Sequence, residues 1–240
     1  MLRIDCEGKY YQQVCDEIRE ALDDNITLDN CVGQRYIGAG VAKKTITIHG
    51  VPGNALGAYM DGATIIVDSS VQDAVGDTMN AGKIIVNGSS GDATGYAMRG
   101  GKIFIRDDAG YRAGIHMKAY KEKFPVIVVG GKCGSFLGEY MAGGIIIVLN
   151  RKSEKDIVGN FTGVGMHGGK IFLRGDSTTA IFPPQVKCED ATDDDLKEIK
   201  EYIDEYGVDF GIDVKDIMSS HFFVLKPNSA NPYKRLYTAN

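Results

Sequence analysis

The sequence has no close pair of cysteines, no long apolar run and no excess of positive charge. The five cysteines are widely spaced without a Cys-x-x-Cys motif, so they offer no local zinc or iron–sulfur site. No apolar run approaches the roughly 20 residues of a membrane span, and the first residues lack the apolar core of a signal peptide. The net charge of −5 argues against nucleic acid or an anionic membrane as a partner. We therefore expect a cytoplasmic protein with reduced cysteines.

Glycine is scarce outside one part of the chain. Of the 31 glycines, all but Gly8, Gly207 and Gly211 lie between Gly33 and Gly175. Chains that turn sharply several times within a short coil favour glycine, because corners need positive φ or close backbone approach. The distribution predicts a glycine-rich domain of many short turns between two flanks of different character.

A glycine followed three residues later by a medium-sized apolar residue recurs seven times in this part. From Gly38 to Gly114, each glycine of this pattern lies 19 residues after the previous glycine of the pattern. A fixed period near 20 residues is typical of a solenoid, whose repeats bury their apolar faces against each other. We predict that the recurring apolar side chains stack inside the coil. The pairs are Gly38 with Val41, Gly57 with Met60, Gly76 with Met79, Gly95 with Met98, Gly114 with Met117, Gly138 with Met141, and Gly163 with Met166.

A short β-branched run follows each of these pairs. Such runs, closed by glycine or polar residues, are typical of strands, and no repeat holds the 10–12 residues of helical periodicity that a helical solenoid requires. Strands one coil apart stack in the same direction, so the sequence predicts a single-stranded right-handed parallel β-helix of about seven coils. The runs are Thr45–Ile48, Thr64–Val67, Lys83–Val86, Lys102–Ile105, Val126–Val129, Ile145–Val148 and Lys170–Leu173.

Helices are predicted on both flanks. In the first, over about residues 9–22, Val14, Ile18 and Leu22 form one apolar stripe. The second begins at a capping box of Thr192 and Asp195, ends at Gly207, and buries Leu196, Ile199, Tyr202 or Ile203, and Tyr206. The chain is thus divided into a helical N-terminal cap (1–33), a β-helix domain (34–175) and a helical C-terminal lobe with a tail (176–240).

The period lengthens in two places. The step rises from 19 to 24 residues between Gly114 and Gly138, and to 25 between Gly138 and Gly163. The additional residues fall within the charged segments 118–125 and 149–158, and insertions in solenoids often form binding loops. We expect the two insertions to share one face and dock a partner; the alternative is that they are ordinary solvated loops. The candidate docking residues are Lys121, Lys123, Arg151 and Lys155.

The residues predict no catalytic, cofactor-binding or metal-binding site. Residues 163–168 spell G-x-G-x-x-G, but a strand follows where a dinucleotide site requires a helix. His116 and His167 occupy different positions of the repeat, so they form no ladder of metal ligands. Cys133 would be a nucleophile only with a base beside it in the fold, which the sequence does not show, and it is interpreted as a small wall residue.

Several stretches of the repeat resemble the GXGXG domain that closes the large subunit of glutamate synthase. They are GNALGAYMDG (53–62), VGDTMNAGKIIV (75–86), GSFLGEYMAGGIIIV (134–148) and DIVGNFTGVGMHGG (156–169), and the tail segments FVLKP (223–227) and YKRL (233–236) resemble that subunit's C-terminal end. The resemblance implies a right-handed β-helix that packs between amidotransferase and synthase domains and supplies no known catalytic, flavin or iron–sulfur residue. It identifies the chain as a stand-alone form of this domain.

The resemblance implies a structural subunit in glutamate biosynthesis and ammonia assimilation, without activity of its own. Its partners would be the catalytic and glutamine amidotransferase subunits of a glutamate synthase, with FMN and an iron–sulfur cluster on the synthase partner. Two alternatives stay open: a relative of the β-helical subunit of formylmethanofuran dehydrogenase, which is built of similar coils, or an independent β-helix that binds a small molecule. The GAYMDG stretch and the tail favour glutamate synthase. A homo-oligomer is compatible with the sequence.

Overall fold

The computed structural model describes residues 1–176 and 178–228, which form one sheet and three helices. The tail motif at 233–236 lies outside the described residues. The strands are β1 (Leu2–Asp5), β2 (Asn25–Val32), β3 (Thr45–Val51), β4 (Asp61–Val67), β5 (Ala81–Val86), β6 (Gly101–Ile105), β7 (Pro125–Val129), β8 (Ala142–Val148), β9 (Gly168–Arg174), β10 (Val186–Asp190) and β11 (Phe222–Pro227). The helices are α1 (Tyr11–Glu20), α2 (Asp193–Phe210) and α3 (Lys215–Met218).

Strands β1 to β9 are parallel and follow chain order across the sheet. The 19-residue period sets their register, since Thr45 pairs with Thr64, Thr64 with Lys83, and Lys83 with Lys102. The longer coils keep this register because their additional residues lie outside the strands; Lys102, for example, pairs with Val126. The predicted parallel β-solenoid of about seven turns is confirmed.

The methionines of the repeat lie inside the coil. All six are at most 1% exposed, and Val41 takes their place in the first copy at 8%. Each stands one coil from the next, so the thioethers occupy the same phase of successive turns. These residues are Met60, Met79, Met98, Met117, Met141 and Met166. They have a packing role, since their flexible side chains fill an irregular interior.

A column of isoleucines also lies in the interior. The isoleucines stand at the same position of each strand and are fully buried: Ile46, Ile65, Ile84, Ile103, Ile127, Ile146 and Ile171. Because isoleucine is β-branched and stiff at its first side-chain torsion, the column is rigid. The adaptable methionines suit the gaps that this rigid column leaves.

The repeat glycines make room for the isoleucine column. A Cβ atom at Gly76 would lie 2.4 Å from Cδ1 of Ile103 in the next coil, and one at Gly57 would lie 2.6 Å from Cδ1 of Ile84. Gly76 also has φ +66°, a left-handed conformation that L residues rarely adopt. The glycine of the repeat is therefore required twice, for its backbone conformation and for its missing side chain.

A second apolar layer covers the outer face of the later strands. Ile199, Ile203 and Tyr206 of α2 pack against outward-facing residues of β6 to β9, including Phe104. Polar contacts fix the helix: Glu205 accepts hydrogen bonds from Lys83 and Lys102 at 2.7 and 2.5 Å. This layer explains why β7 and β8 are apolar on both faces, whereas amphipathic strands would suffice for a coil exposed to water.

The first flank departs from the sequence prediction. Val14 and Ile18 are buried as expected, but Leu22 is fully exposed because α1 ends at Glu20. Residues 1–33 also contain β1 and β2, which extend the sheet and were not predicted. The N-terminal cap is therefore part of the solenoid sheet and not a purely helical cover.

The second helix begins as predicted but ends later. Thr192 Oγ1 accepts a hydrogen bond from Asp195 N at 3.2 Å, which confirms the capping box. The helix continues through Gly207 to Phe210, and Gly211 follows as its C-cap with a φ of +63°. Gly207 is a packing position instead, since a Cβ atom there would lie 2.6 Å from Cγ1 of Val214.

Candidate partner interface

The described residues contain no group of three or more His, Cys, Asp or Glu side chains that could hold a metal ion. The buried Cys133 lies in a column of short β-bridges with Ala109 and Val158, and burial raises the pKa of its thiol well above the usual range. Such a thiol is a poor nucleophile, because the thiolate is the reactive form. No helix in the described part of the chain has the length and apolarity of a membrane span.

An unusual feature of the surface is two columns of non-glycine residues with left-handed backbone. They stand two residues before and two residues after the repeat glycine, with φ between 50° and 64°. In this conformation, amides two residues apart donate to different neighbouring coils. Ala55 N donates to Asp73 O in the following coil, and Gly57 N donates to Ile37 O in the preceding coil. The columns are Tyr36, Ala55, Ala74, Ala93, Arg112, Phe136 and Phe161 before the glycine, and Tyr59, Thr78, Ala97, His116 and Tyr140 after it.

In the later coils these positions carry large side chains that stack on one another. His116 and Tyr140 are parallel with ring centroids 5.2 Å apart, and Tyr96, which lies outside the two columns, meets the His116 ring edge-on at 5.9 Å. Phe136 and Phe161 stack at 5.1 Å. We call this surface the aromatic face and define it by six residues: Tyr96, Arg112, His116, Phe136, Tyr140 and Phe161.

Arg112 joins the two stacks of the aromatic face. Its guanidinium carbon lies 4.6 Å from the centroid of the Phe136 ring, and its Nε lies 3.3 Å from Glu139 Oε2. Glu139 directly precedes Tyr140, so the ion pair spans from one stack to the other. Because this arginine is balanced by an acid, the face is apolar with little net charge.

The aromatic face is both exposed and conformationally costly. Phe161 is 57% exposed and Tyr140 is 41% exposed. A left-handed conformation costs an L residue about 1–2 kcal/mol, and the coil around Gly95 holds the small Ala93 and Ala97 at the same positions. The left-handed backbone recurs along the solenoid and so belongs to the fold, whereas exposed aromatic patches are typical of protein interfaces. These positions therefore indicate a binding surface.

The four predicted docking residues do not share one corner of the coil. Lys121 and Lys123 precede β7, whereas Arg151 and Lys155 follow β8. Since β7 and β8 are parallel neighbours, the two insertions leave the sheet at opposite ends of its strands, and the expectation that they share one face is wrong. Lys123 is also engaged within the chain, because its Nζ lies 2.9 Å from Asp61 Oδ1.

The family of the chain follows from its repeat. A model of the GXGXG motif family matches residues 23–228, from just before β2 to the end of β11. The chain belongs to the GXGXG family. Within this family match, the repeat glycines and methionines described above form the interior of the coil.

Two relatives place the GXGXG chain among known proteins. It is 45% identical over 249 residues to an uncharacterized protein of Methanocaldococcus jannaschii, with 98% of this chain and 95% of that protein aligned. Its fold is similar to that of a chain in the crystal structure of the formyltransferase/hydrolase complex (FhcABCD) from Methylorubrum extorquens with methylofuran. The TM-score is 0.66 at 19% identity, over 92% of this chain and 89% of that chain. At this identity the likeness concerns the fold.

The sequence of this GXGXG chain already carries the signal of the aromatic face, although the motifs alone did not reveal it. Tyr59, His116 and Tyr140 stand at one phase of the repeat, and Tyr36, Phe136 and Phe161 at another. In the structure these positions are left-handed, and the backbone around them donates hydrogen bonds to the neighbouring coils. Such hydrogen bonds cannot be read from spacing.

Proposed function

We propose that this chain is a cytoplasmic, non-catalytic structural subunit of a multi-subunit enzyme complex, and that its aromatic face binds a partner subunit. The observation that carries the proposal is the set of exposed aromatic side chains that stack on one another across the later coils. The fold likeness to a chain of a multi-subunit complex supports it. A stiff β-helix suits the holding of catalytic units at fixed positions, because each coil is hydrogen-bonded to both neighbours.

The same fold likeness supports a complex of the formyltransferase/hydrolase or formylmethanofuran dehydrogenase type, in which this chain would take the place of the β-helical subunit. A glutamate synthase is the second candidate, favoured by the GAYMDG stretch at 57–62 and by the FVLKP segment of β11. In that complex the partners would be the synthase and glutamine amidotransferase subunits, with FMN and an iron–sulfur cluster on the synthase subunit.

Purification of the tagged chain from its own cells, followed by mass spectrometry, distinguishes the two candidates. Stoichiometric formyltransferase or hydrolase subunits would support the first complex, and a flavin-containing synthase with an amidotransferase would support the second. A chain that elutes without any stoichiometric partner, under conditions that preserve known complexes, would contradict the proposed function.

Variants of the aromatic face test where the partner binds. Replacing Tyr140 and Phe161 together by serine should leave the fold intact and release the partner, because exposed aromatic anchors contribute most of the energy of an interface. Tyr59→Ser is the matched control: Tyr59 has the same phase of the repeat and a φ of +57°, and is 60% exposed, but lies outside the aromatic face. Equal effects of both changes would contradict this assignment.

The predicted docking lysines and arginine are tested as two separate pairs, because they lie at opposite strand ends. Charge reversal at Lys121 and Lys123 probes one corner of the coil, and reversal at Arg151 and Lys155 probes the other. Surface charges tune association more than folding, so each reversal should leave the circular dichroism spectrum unchanged. A pair whose reversal leaves co-purification intact takes no part in docking.

A further inference from the structure

A polar cavity lies between the second insertion and the segment that leads into β11. Its volume is about 330 Å³, within the range of small-molecule sites. The insertion contributes Glu154 and Lys155, the end of β9 contributes Arg174 and the following Asp176, and the last segment contributes His221. The cavity is separate from the aromatic face, whose residues are not among those that line it.

Once their ion pairs are counted, the side chains that line the cavity carry more positive than negative charge. Glu154 is balanced from outside, because Lys132 Nζ lies 2.7 Å from its Oε2. His221 faces two acceptors, Gly175 O at 2.8 Å from Nδ1 and Asp190 Oδ1 at 3.1 Å from Nε2. His221 donates to both acceptors only when its ring is a protonated imidazolium, and the carboxylate of Asp190 then balances the positive charge of the ring.

Two cations are left to face one acid. Lys155 is exposed and has no ion-pair partner within the described part of the chain, and Arg174 has no carboxylate partner there either. The acid that remains is Asp176. An anion in the cavity would therefore complete its charge balance.

Arg174 is held in place with donors to spare. Its Nη1 donates to the carbonyl oxygens of Leu149 and Asn150 at 3.2 and 3.4 Å, which fixes the guanidinium against the insertion. Its Nε is buried and has no hydrogen-bond partner. An unpaired buried donor is costly, and the planar fork of an arginine suits the paired oxygens of a carboxylate or a phosphate.

We propose that this cavity binds a small oxyanion, a carboxylate or a phosphate, through Arg174 and Lys155. The fixed guanidinium supplies directional donors, and Lys155 of the insertion adds a second positive charge to the lining. The site belongs to this chain alone and does not depend on a partner subunit. Its failure would therefore leave the proposed structural role untouched.

Isothermal titration calorimetry of the full chain with inorganic phosphate, and separately with acetate, tests the proposal. We expect saturable binding of at least one anion with a dissociation constant on the order of 1 mM, and no saturable heat with chloride at matched ionic strength. The anion that binds more tightly identifies the class of oxyanion. Absence of saturable binding by both anions, or equal binding of chloride, would overturn the proposal.

Two variants locate the site. Lys155→Ser should weaken binding by about tenfold, in line with the loss of one charged hydrogen bond. Lys152→Ser is the matched control, because Lys152 is an exposed lysine of the same insertion that lines a different hollow with Arg106 and Asp107. Arg174→Lys, which keeps the charge and removes the fork, should weaken binding if the variant folds. Equal losses in both serine variants would show nonspecific charge attraction and overturn the assignment.

Discussion

One pair of substitutions separates the two roles of the repeat glycine, its left-handed backbone and its missing side chain. Gly76 and Gly40 have almost the same backbone conformation, with φ +66° and +68°. A Cβ atom at Gly76 would lie 2.4 Å from Ile103 Cδ1, whereas a Cβ atom at Gly40 would meet nothing within 4 Å. Alanine at Gly40 therefore reports the cost of the left-handed conformation alone, and alanine at Gly76 reports that cost together with the steric clash.

The expected magnitudes follow from these contacts. The left-handed conformation costs alanine about 1–2 kcal/mol, and the reduced entropy of the unfolded chain returns about 0.4–1 kcal/mol. Gly40→Ala should thus lower the free energy of unfolding by about 0.5–1 kcal/mol. Overpacking of a core adds about 1–3 kcal/mol, so Gly76→Ala should lower the free energy of unfolding by about 1.5–4 kcal/mol.

Urea unfolding followed by circular dichroism measures both values, and a third variant checks the cause. Ile103→Val removes the Cδ1 methyl, so it should restore part of the stability of Gly76→Ala while destabilising the parent chain. Equal losses for Gly40→Ala and Gly76→Ala would refute the steric argument. The repeat glycine would then be required for its backbone conformation only.

Three further predictions concern the core, the left-handed columns and the loss of stability at low pH. Met98→Asp should unfold the chain because it buries an unpaired charge, whereas Met98→Leu should cost less than about 1.5 kcal/mol; similar melting temperatures for both would contradict the interior position of this column. Ala97→Gly should stabilise the chain by about 0.5 kcal/mol, because it relieves the strain of a φ of +50°. Ala58→Gly is the control outside the left-handed columns and should destabilise the chain. A loss of stability at both positions in urea unfolding would count against the strain argument. Burial by itself raises the pKa of Asp195, but hydrogen bonds from Lys170 and other donors lower it well below its usual range, so stability present above about pH 4 should decline as the pH falls further. Asp195→Asn should flatten this decline in acid unfolding curves, and an unchanged slope would show that other carboxylates control it.

The sequence alone determined the solenoid, because its determinants are local and repeated. The 19-residue step from Gly38 to Gly114 fixes which residues pair, and the β-branched runs fix where the strands lie. Parallel stacking follows from the period itself, since copies one coil apart run in the same direction. The capping box at Thr192 was likewise readable, because its two residues are three positions apart.

The tertiary structure decided everything that depends on contacts between distant residues. Position 207 is a glycine inside a helix because Val214 packs too close for a side chain there, and Leu22 is exposed because α1 stops before it. The outer faces of β7 and β8 are apolar because α2 covers them. The aromatic face and the polar cavity have the same origin. The face stacks side chains of neighbouring coils on one another, and the cavity joins segments that are far apart in the chain.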